Sequence, residues 1–324
     1  MSGDAQAFWL ASPGQGEIRS STLPVPGRDD VVVRTLHTGV SRGTETLVFT
    51  GAVPETQWAS MRAPFQEGDF PSPVKYGYLN VGVVEHGPAS LLGRTVFSLY
   101  PHQTRYVVPA AAVTVVPDGV PAHRAVLAGT VETAVNALWD AAPLIGDKIA
   151  VVGGGMVGCS VAAIAATIPG VRVQLVDVDS SRAAVADALG VAFAHPADAS
   201  GDCDIVIHAS ATSAGLTRSL ELLAHEGTVV ELSWYGDKQV SVPLGEFFHA
   251  RRLTIRSSQV GNIVPGRRRT YADRLALSLD LLANPKFEAL ITGRTEFADL
   301  PDVMPRIADG SLPALCHVID YPEE

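Results

Sequence analysis

Gly153-Gly154-Gly155-Met156-Val157-Gly158 has the spacing G-x-G-x-x-G, and Asp177 stands 19 residues past its last glycine. Each position suits the binding of a dinucleotide. Gly153 permits a tight turn, Gly155 has no Cβ to keep the backbone from a pyrophosphate, and Gly158 lets a helix pack close to a strand. The N–H groups at the start of that helix, around Met156 and Val157, attract the anion. A carboxylate at Asp177 accepts hydrogen bonds from ribose hydroxyls and repels a 2′-phosphate, so NAD(H) is expected over NADP(H).

The glycine pattern gains its weight from the elements around it. Residues 148–152 read as a β-branched strand, 157–166 as a helix and 171–176 as a second strand that delivers Asp177. A helix follows at 181–189, with Ser180 or Ser181 as its N-cap and Gly190 as its stop. Then come a strand at 204–208, a helix at 216–224, and strands at 228–232 and 253–256. Alternating short strands and helices predict a doubly wound parallel sheet. Ser210, Ser233 and Ser258 fall at strand ends, where such a sheet presents its ligand crevice; ordinary turn chemistry is the other reading of each. Residues 1 to about 130 read as short strands (31–36, 79–85, 95–99, 106–108, 113–116) with Gly/Pro punctuation, a β-rich, barrel-like unit. The segment 51–76 has no clear period and carries Trp58, Met61, Phe65 and Phe70, as a binding loop or as a satellite apolar cluster would. Past 270 come a helix at 274–282, a linker at Asn284-Pro285 and a last strand at 315–320.

The chain has 324 residues, which suggests two domains. Its 47% hydrophobic content supplies a core, and its net charge of −10 argues against nucleic-acid partners and polybasic membrane anchoring. The 3 cysteines, Cys159, Cys203 and Cys316, are too few and too scattered for a disulfide framework or a Cys-rich zinc module. Residues 149–171 carry no charge, but the break at Gly153–Gly155 divides them into a buried strand and a buried helix rather than a membrane span. No signal peptide is apparent, so a cytoplasmic location is expected. The Tyr-x-x-x-Lys pair of short-chain dehydrogenases is absent; Tyr235 with Lys238 is the nearest approach.

A family resemblance rests on several segments: Ala7-Phe8-Trp9-Leu10, Asp30-Val31-Val32-Val33-Arg34, Ser41-Arg42-Gly43-Thr44-Glu45, Gly77-Tyr78-Leu79-Asn80-Val81-Gly82 and Thr133-Ala134-Val135-Asn136-Ala137-Leu138. Together with the glycine turn they resemble the medium-chain dehydrogenase/reductase superfamily, which is alcohol dehydrogenase-like, over nearly the whole length. The resemblance implies a GroES-like β-barrel domain at 1–131, a Rossmann dinucleotide-binding domain at 132–260 and a segment at 261–324 returning to the catalytic domain. It also implies a homodimer, joined through the sheet edge near Leu253 to Val260. The family's catalytic zinc is held by Cys, His and Cys; the matching positions are Ser41, Tyr78 and Gly129, none a zinc ligand of that type. The four-Cys structural lobe is missing as well. A zinc-independent member with no metal site is therefore expected. Ser41–Glu45 and the Gly77-Tyr78 pair are locally similar to bacteriochlorophyllide hydroxyethyl dehydrogenases, which oxidise a secondary alcohol.

Hydride transfer to or from a carbonyl carbon needs a group that stabilises charge on oxygen. With zinc gone, that role falls to hydrogen-bond donors. Tyr78 stands at the lost His position and leads the candidates; Ser41 and Thr44 could relay a proton to it. His102, in Leu99-Tyr100-Pro101-His102-Gln103, Glu45 and Glu132 are further candidates. The competing readings are structural: Tyr78 as filler of the metal's volume, His102 as a satisfied loop histidine, Glu132 as an ion-pair partner of Arg42 or another arginine. By resemblance, Arg42 reaches the pyrophosphate and Thr133 lies against the nicotinamide. The run Arg267-Arg268-Arg269 reads as a phosphate contact or as a solvated face. The function expected is NAD(H)-dependent interconversion of a small secondary alcohol and its ketone. A non-catalytic dinucleotide-binding relative and a zinc-free quinone or enoyl reductase are the alternatives.

Overall fold

A computed structural model describes residues 4–263 and 269–322. Two compact units emerge. One comprises 1–129, 275–284 and 291–324; the other comprises 130–274 and 285–290.

The second unit is built on a six-stranded sheet, every pairing of which is parallel. Its strands are β1 (Lys148–Val152), β2 (Arg172–Val176), β3 (Ala192–Ala194), β4 (Cys203–His208), β5 (Leu223–Glu231) and β6 (Thr254–Ser257). Their spatial order is 3-2-1-4-5-6, the order of a Rossmann sheet. The order of connection reverses between β1 and β4, the kind of switch point at which open parallel sheets bind ligands beyond the carboxyl ends of their strands. Helix α1 (Met156–Ala165) follows β1, α2 (Arg182–Leu189) follows β2 and α3 (Ser213–Leu222) follows β4. The uncharged stretch at 149–171 is thus a strand and a ten-residue helix, and no helix among the described residues is long and apolar enough to cross a membrane.

Local chemistry sets the boundaries. Gly190 ends α2 with φ +75°, a left-handed turn that suits glycine. Thr212 caps α3 by accepting the Gly215 N–H at 3.0 Å, so this helix starts three residues before the expected 216. It stops at Leu222, and Leu223 already belongs to β5, which a register shift lengthens beyond the expected 228–232. The helix Tyr271–Leu281 also starts earlier than 274, because Thr270 and Asp273 exchange backbone and side-chain hydrogen bonds at its first turn.

The first unit holds a seven-stranded sheet and a four-stranded one. The 12-residue strand Asp30–Ser41 is central to the larger. It pairs antiparallel with Asn80–His86, with Arg105–Pro109 and with Cys316–Asp320. Its alternating burial feeds Val31 and Val33 into a core with Val84, Val96, Tyr100, Tyr106 and Val108. The chain's far end returns to this sheet through Cys316–Asp320, which brings Tyr321 to the same strand as Thr38. Not all of 261–324 joins this unit. Residues up to Arg274 stay with the second unit, where Arg274 Nε donates to Glu132 Oε1 at 3.0 Å, and so does the turn Pro285–Leu290, where Lys286 Nζ donates to Ala163 O at 2.7 Å. In the segment 51–76, Val53, Phe70 and Tyr76 are buried while Trp58 and Met61 are half-buried. The three cysteines are unpaired and buried.

Candidate active site

In the first unit, the strand Asp30–Ser41 runs into the helix Arg42–Phe49, and this junction assembles a polar cluster. Glu45, on the first turn, is buried; one carboxylate oxygen accepts the Ser41 N–H at 2.7 Å and the other lies 2.9 Å from His102 Nε2. His102 Nδ1 is 2.6 Å from Thr38 Oγ1, which is 3.2 Å from the Tyr321 hydroxyl. Both ring nitrogens of His102 are thus engaged, by Glu45 and by the Thr38 hydroxyl, which in turn meets the Tyr321 hydroxyl. Gly77 keeps this place open, because its φ is +136° and a Cβ there would lie 2.9 Å from His102 Cδ2.

Tyr78 joins the same cluster. It is half-buried and hydrogen-bonded to Ser41 and Thr44. Burial, reinforced by the Glu45 charge, pushes its phenol up to about 12. Tyr76 stands edge-on to it at 6.1 Å, with Phe70 behind at 5.8 Å. Gly129 is also adjacent: a Cβ there would come within 3.7 Å of Tyr78 Cδ2 and 2.6 Å of Leu79 Cδ2. The Ser41, Tyr78 and Gly129 positions therefore lie together, and they present two hydroxyls and a bare glycine. Arg42 is exposed on the first turn of the helix.

In the second unit the glycine turn joins β1 to α1. Gly153 has φ +110°, and a Cβ on it would lie 2.6 Å from Ser210 N. A Cβ on Gly158 would lie 1.9 Å from Gly153 O, and Gly155 is exposed with open space around it. Met156 and Val157 open the helix behind that space. Asp177 follows β2. One of its oxygens accepts the Gly154 N–H at 2.6 Å and the other the Asp179 N–H at 2.8 Å.

The remaining expected residues of this unit have partners already. Glu132 is in a buried ion pair with Arg274, one of the two readings of it, and burial pushes its carboxyl up against the opposing pull of Arg274. Thr133 lies on the same helix, Ala128–Ala141. Ser258 donates to Asp140 Oδ2 at 2.5 Å. Ser210 is 2.7 Å from His208 Nε2, and Ser233 accepts the Ala211 N–H at 3.1 Å. Arg267 and Arg268 lie outside the described residues, and Arg269 is exposed. Sequence reasoning missed Thr38 and Tyr321, which reach His102 through strand pairing, and Arg182, whose Cγ would lie 3.2 Å from a Cβ on Gly154. It also missed His208 and Glu231. A buried apolar run ending in a histidine was the available sign of the former.

No family model and no curated protein matches the sequence. Solved structures do match in shape. L-idonate 5-dehydrogenase of Escherichia coli K-12 superposes with a TM-score of 0.82 at 15% identity, covering 99% of each chain. An alcohol dehydrogenase of Escherichia coli CFT073 in complex with NADH gives 0.78 at 17%, covering 98% of this chain and 99% of the other. A Sinorhizobium meliloti 1021 protein described as a zinc-binding dehydrogenase, bound to NADP, gives 0.77 at 18%, with the same coverage. The fold is that of the medium-chain alcohol dehydrogenases. One of these neighbouring structures is bound to NADH and another to NADP.

Proposed function

We propose that the protein is a zinc-independent, NAD(H)-dependent oxidoreductase that interconverts a small secondary alcohol and its ketone. The observation that carries this is the convergence of Tyr78, Ser41 and Thr44 beside a buried Glu45–His102 pair, at the positions the family gives to its catalytic metal. Those positions do not suit zinc. Zinc takes thiolate, imidazole or carboxylate ligands. Here one position offers a serine hydroxyl, one a phenol that ionises only at about 12, and the third a glycine where a Cβ would strike Leu79.

Bound nicotinamide would supply or accept the hydride. Tyr78 keeps its proton through the neutral range and can donate a hydrogen bond to the substrate oxygen. Ser41 and Thr44 orient the phenol. Glu45, held by the Ser41 N–H and by His102, keeps the Ser41 backbone in place. Gly155 and the first turn of α1 would hold the pyrophosphate, with Arg42 as a cationic contact, and Asp177 the adenosine ribose. Thr133, Ser210 and Ser233 would lie along the nicotinamide side. A preference for NADP(H) is the second reading. Arg182 packs beside Gly154, where a cation could meet a 2′-phosphate.

Acidic net charge and a sheet edge at β6, with all four residues exposed, agree with a cytoplasmic homodimer acting on a small molecule. Parallel calorimetric titrations with NADH and NADPH test the cofactor. Tight NADH and weak NADPH binding is expected; the reverse order transfers the assignment to Arg182, and no binding of either removes it. Stoichiometric zinc in protein purified without added metal would overturn the zinc-independent chemistry.

A further inference from the structure

Ser210 stands on the sharp connection between β4 and α3, at the carboxyl edge of the parallel sheet. Its Oγ is 2.7 Å from His208 Nε2, and His208 Nδ1 is 2.7 Å from Glu231 Oε2. The three side chains thus form a serine–histidine–carboxylate series with both links at full hydrogen-bond length. His208 is wholly buried and Ser210 half-buried, so the base is shielded while the hydroxyl keeps a way out.

The surroundings hold that geometry. Glu231 Oε1 accepts the Ser233 N–H at 2.7 Å, and Oε2 accepts the Tyr235 hydroxyl at 3.0 Å. Burial works to raise the Glu231 carboxyl, but the hydrogen bonds from His208 and Ser233 hold it below the ordinary range, so it stays a carboxylate. Nδ1–H of His208 therefore points at Glu231, which leaves Nε2 to accept the Ser210 proton. Thr212 Oγ1, at 3.0 Å from Ser210 Oγ, is itself anchored by the Gly215 N–H. Gly215 is required there, since a Cβ would lie 2.0 Å from Ser210 Oγ. Ala211, next to the serine, has φ +53°, a left-handed backbone that a side-chain-bearing residue adopts only when its surroundings impose it.

We propose that Ser210 is an acyl-accepting nucleophile, activated by His208 and Glu231, with esterase activity toward short, activated carboxylic esters. Ser210 Oγ attacks the ester carbonyl carbon as its proton passes to His208 Nε2. The tetrahedral adduct collapses, the carbon–oxygen bond to the alcohol breaks, and the alcohol leaves with the proton from His208. Water then attacks the acyl-serine, giving its proton to His208; the carboxylic acid departs and Ser210 regains its proton. No redox partner is consumed. Because Ser210 also lies on the proposed nicotinamide side, the ester uses this place only in protein free of dinucleotide.

The test uses the full chain with p-nitrophenyl acetate and, separately, a fluorophosphonate. Expected are a burst of p-nitrophenolate approaching one equivalent and a covalent adduct on the tryptic fragment 183–218, localised to Ser210 by fragmentation. Ser210→Ala should abolish both. Glu231→Gln should slow labelling by about 10²–10⁴-fold while Ser210 stays intact. Absence of an adduct at Ser210 in the unmodified protein overturns the proposal. So does labelling that is unchanged in Glu231→Gln, or adducts spread equally over several serines. Circular dichroism melting of each variant separates loss of the nucleophile from loss of the fold.

Discussion

In the proposed oxidoreductase chemistry, Tyr78 is the central residue. A phenol pushed up to about 12 remains a donor across the whole neutral range, so its own ionisation should set no alkaline limb below that value. Tyr78→Phe removes the donor and keeps the ring, and kcat should fall about 10²–10⁴-fold, with KM for NADH little changed in steady-state assays. Unaltered turnover would return Tyr78 to a packing role. His102 was open to two readings in the sequence, an acid or a satisfied loop histidine. In the structure both ring nitrogens are engaged, by Glu45 and by Thr38, which fits the second reading. Tyr321 could not have been associated with this cluster from the sequence. It lies 283 residues from Thr38, and only strand pairing brings the two together.

The element with the least tolerance is the turn between β1 and α1. Gly158 faces Gly153 O at a distance no Cβ can occupy, so Gly158→Ala must push α1 away from β1. A destabilisation of about 1–3 kcal/mol is expected from such overpacking, read as a lower Tm, together with loss of nucleotide affinity because the helix carries the first-turn amides. An unchanged Tm would mean that the helix can shift freely. This turn was legible in advance because its demands are local: glycine where φ is positive or contact is closest, a strand before it and a helix after it. Boundaries that depend on side-chain caps were less so. The Thr212 and Thr270 caps each begin a helix three residues before the apolar periodicity does.

At the scale of the whole molecule, buried and half-buried charges govern stability. Arg274 is almost wholly buried, and its guanidinium bonds Glu132, Asn136 and the Val260 carbonyl. Arg274→Met strands the Glu132 carboxylate and should cost about 3–5 kcal/mol; combining it with Glu132→Gln should recover part of that loss in chemical denaturation. Acid should act through His37 and Asp320. Burial drives the His37 imidazole below its ordinary 6.5, so the unfolded chain takes up that proton first as pH falls. For Asp320 burial works upward, but hydrogen bonds from Arg294 and His37 hold the carboxyl below 3.8. Its stabilisation is present above that value and is lost as pH falls through the lower folded one. Tm should therefore decline from about pH 6.5 and more steeply below about pH 4. Asp320→Asn should lower Tm at neutral pH and flatten the lower limb; a Tm unaffected at both ends would show the pair to be idle.

The sequence by itself determined what neighbouring residues decide: the glycine turn and the alternation of strands and helices behind it. These follow from backbone sterics and apolar periodicity over a few residues. Tertiary structure alone decided which polar groups meet. Thr38 with Glu45, His102 and Tyr321 come from three separate stretches of one unit, and Ser210, His208 and Glu231 from two strand ends of the other. Hydrogen bonds at 2.6 to 3.2 Å require register between strands far apart in the chain, and register is set by the packing of whole sheet faces.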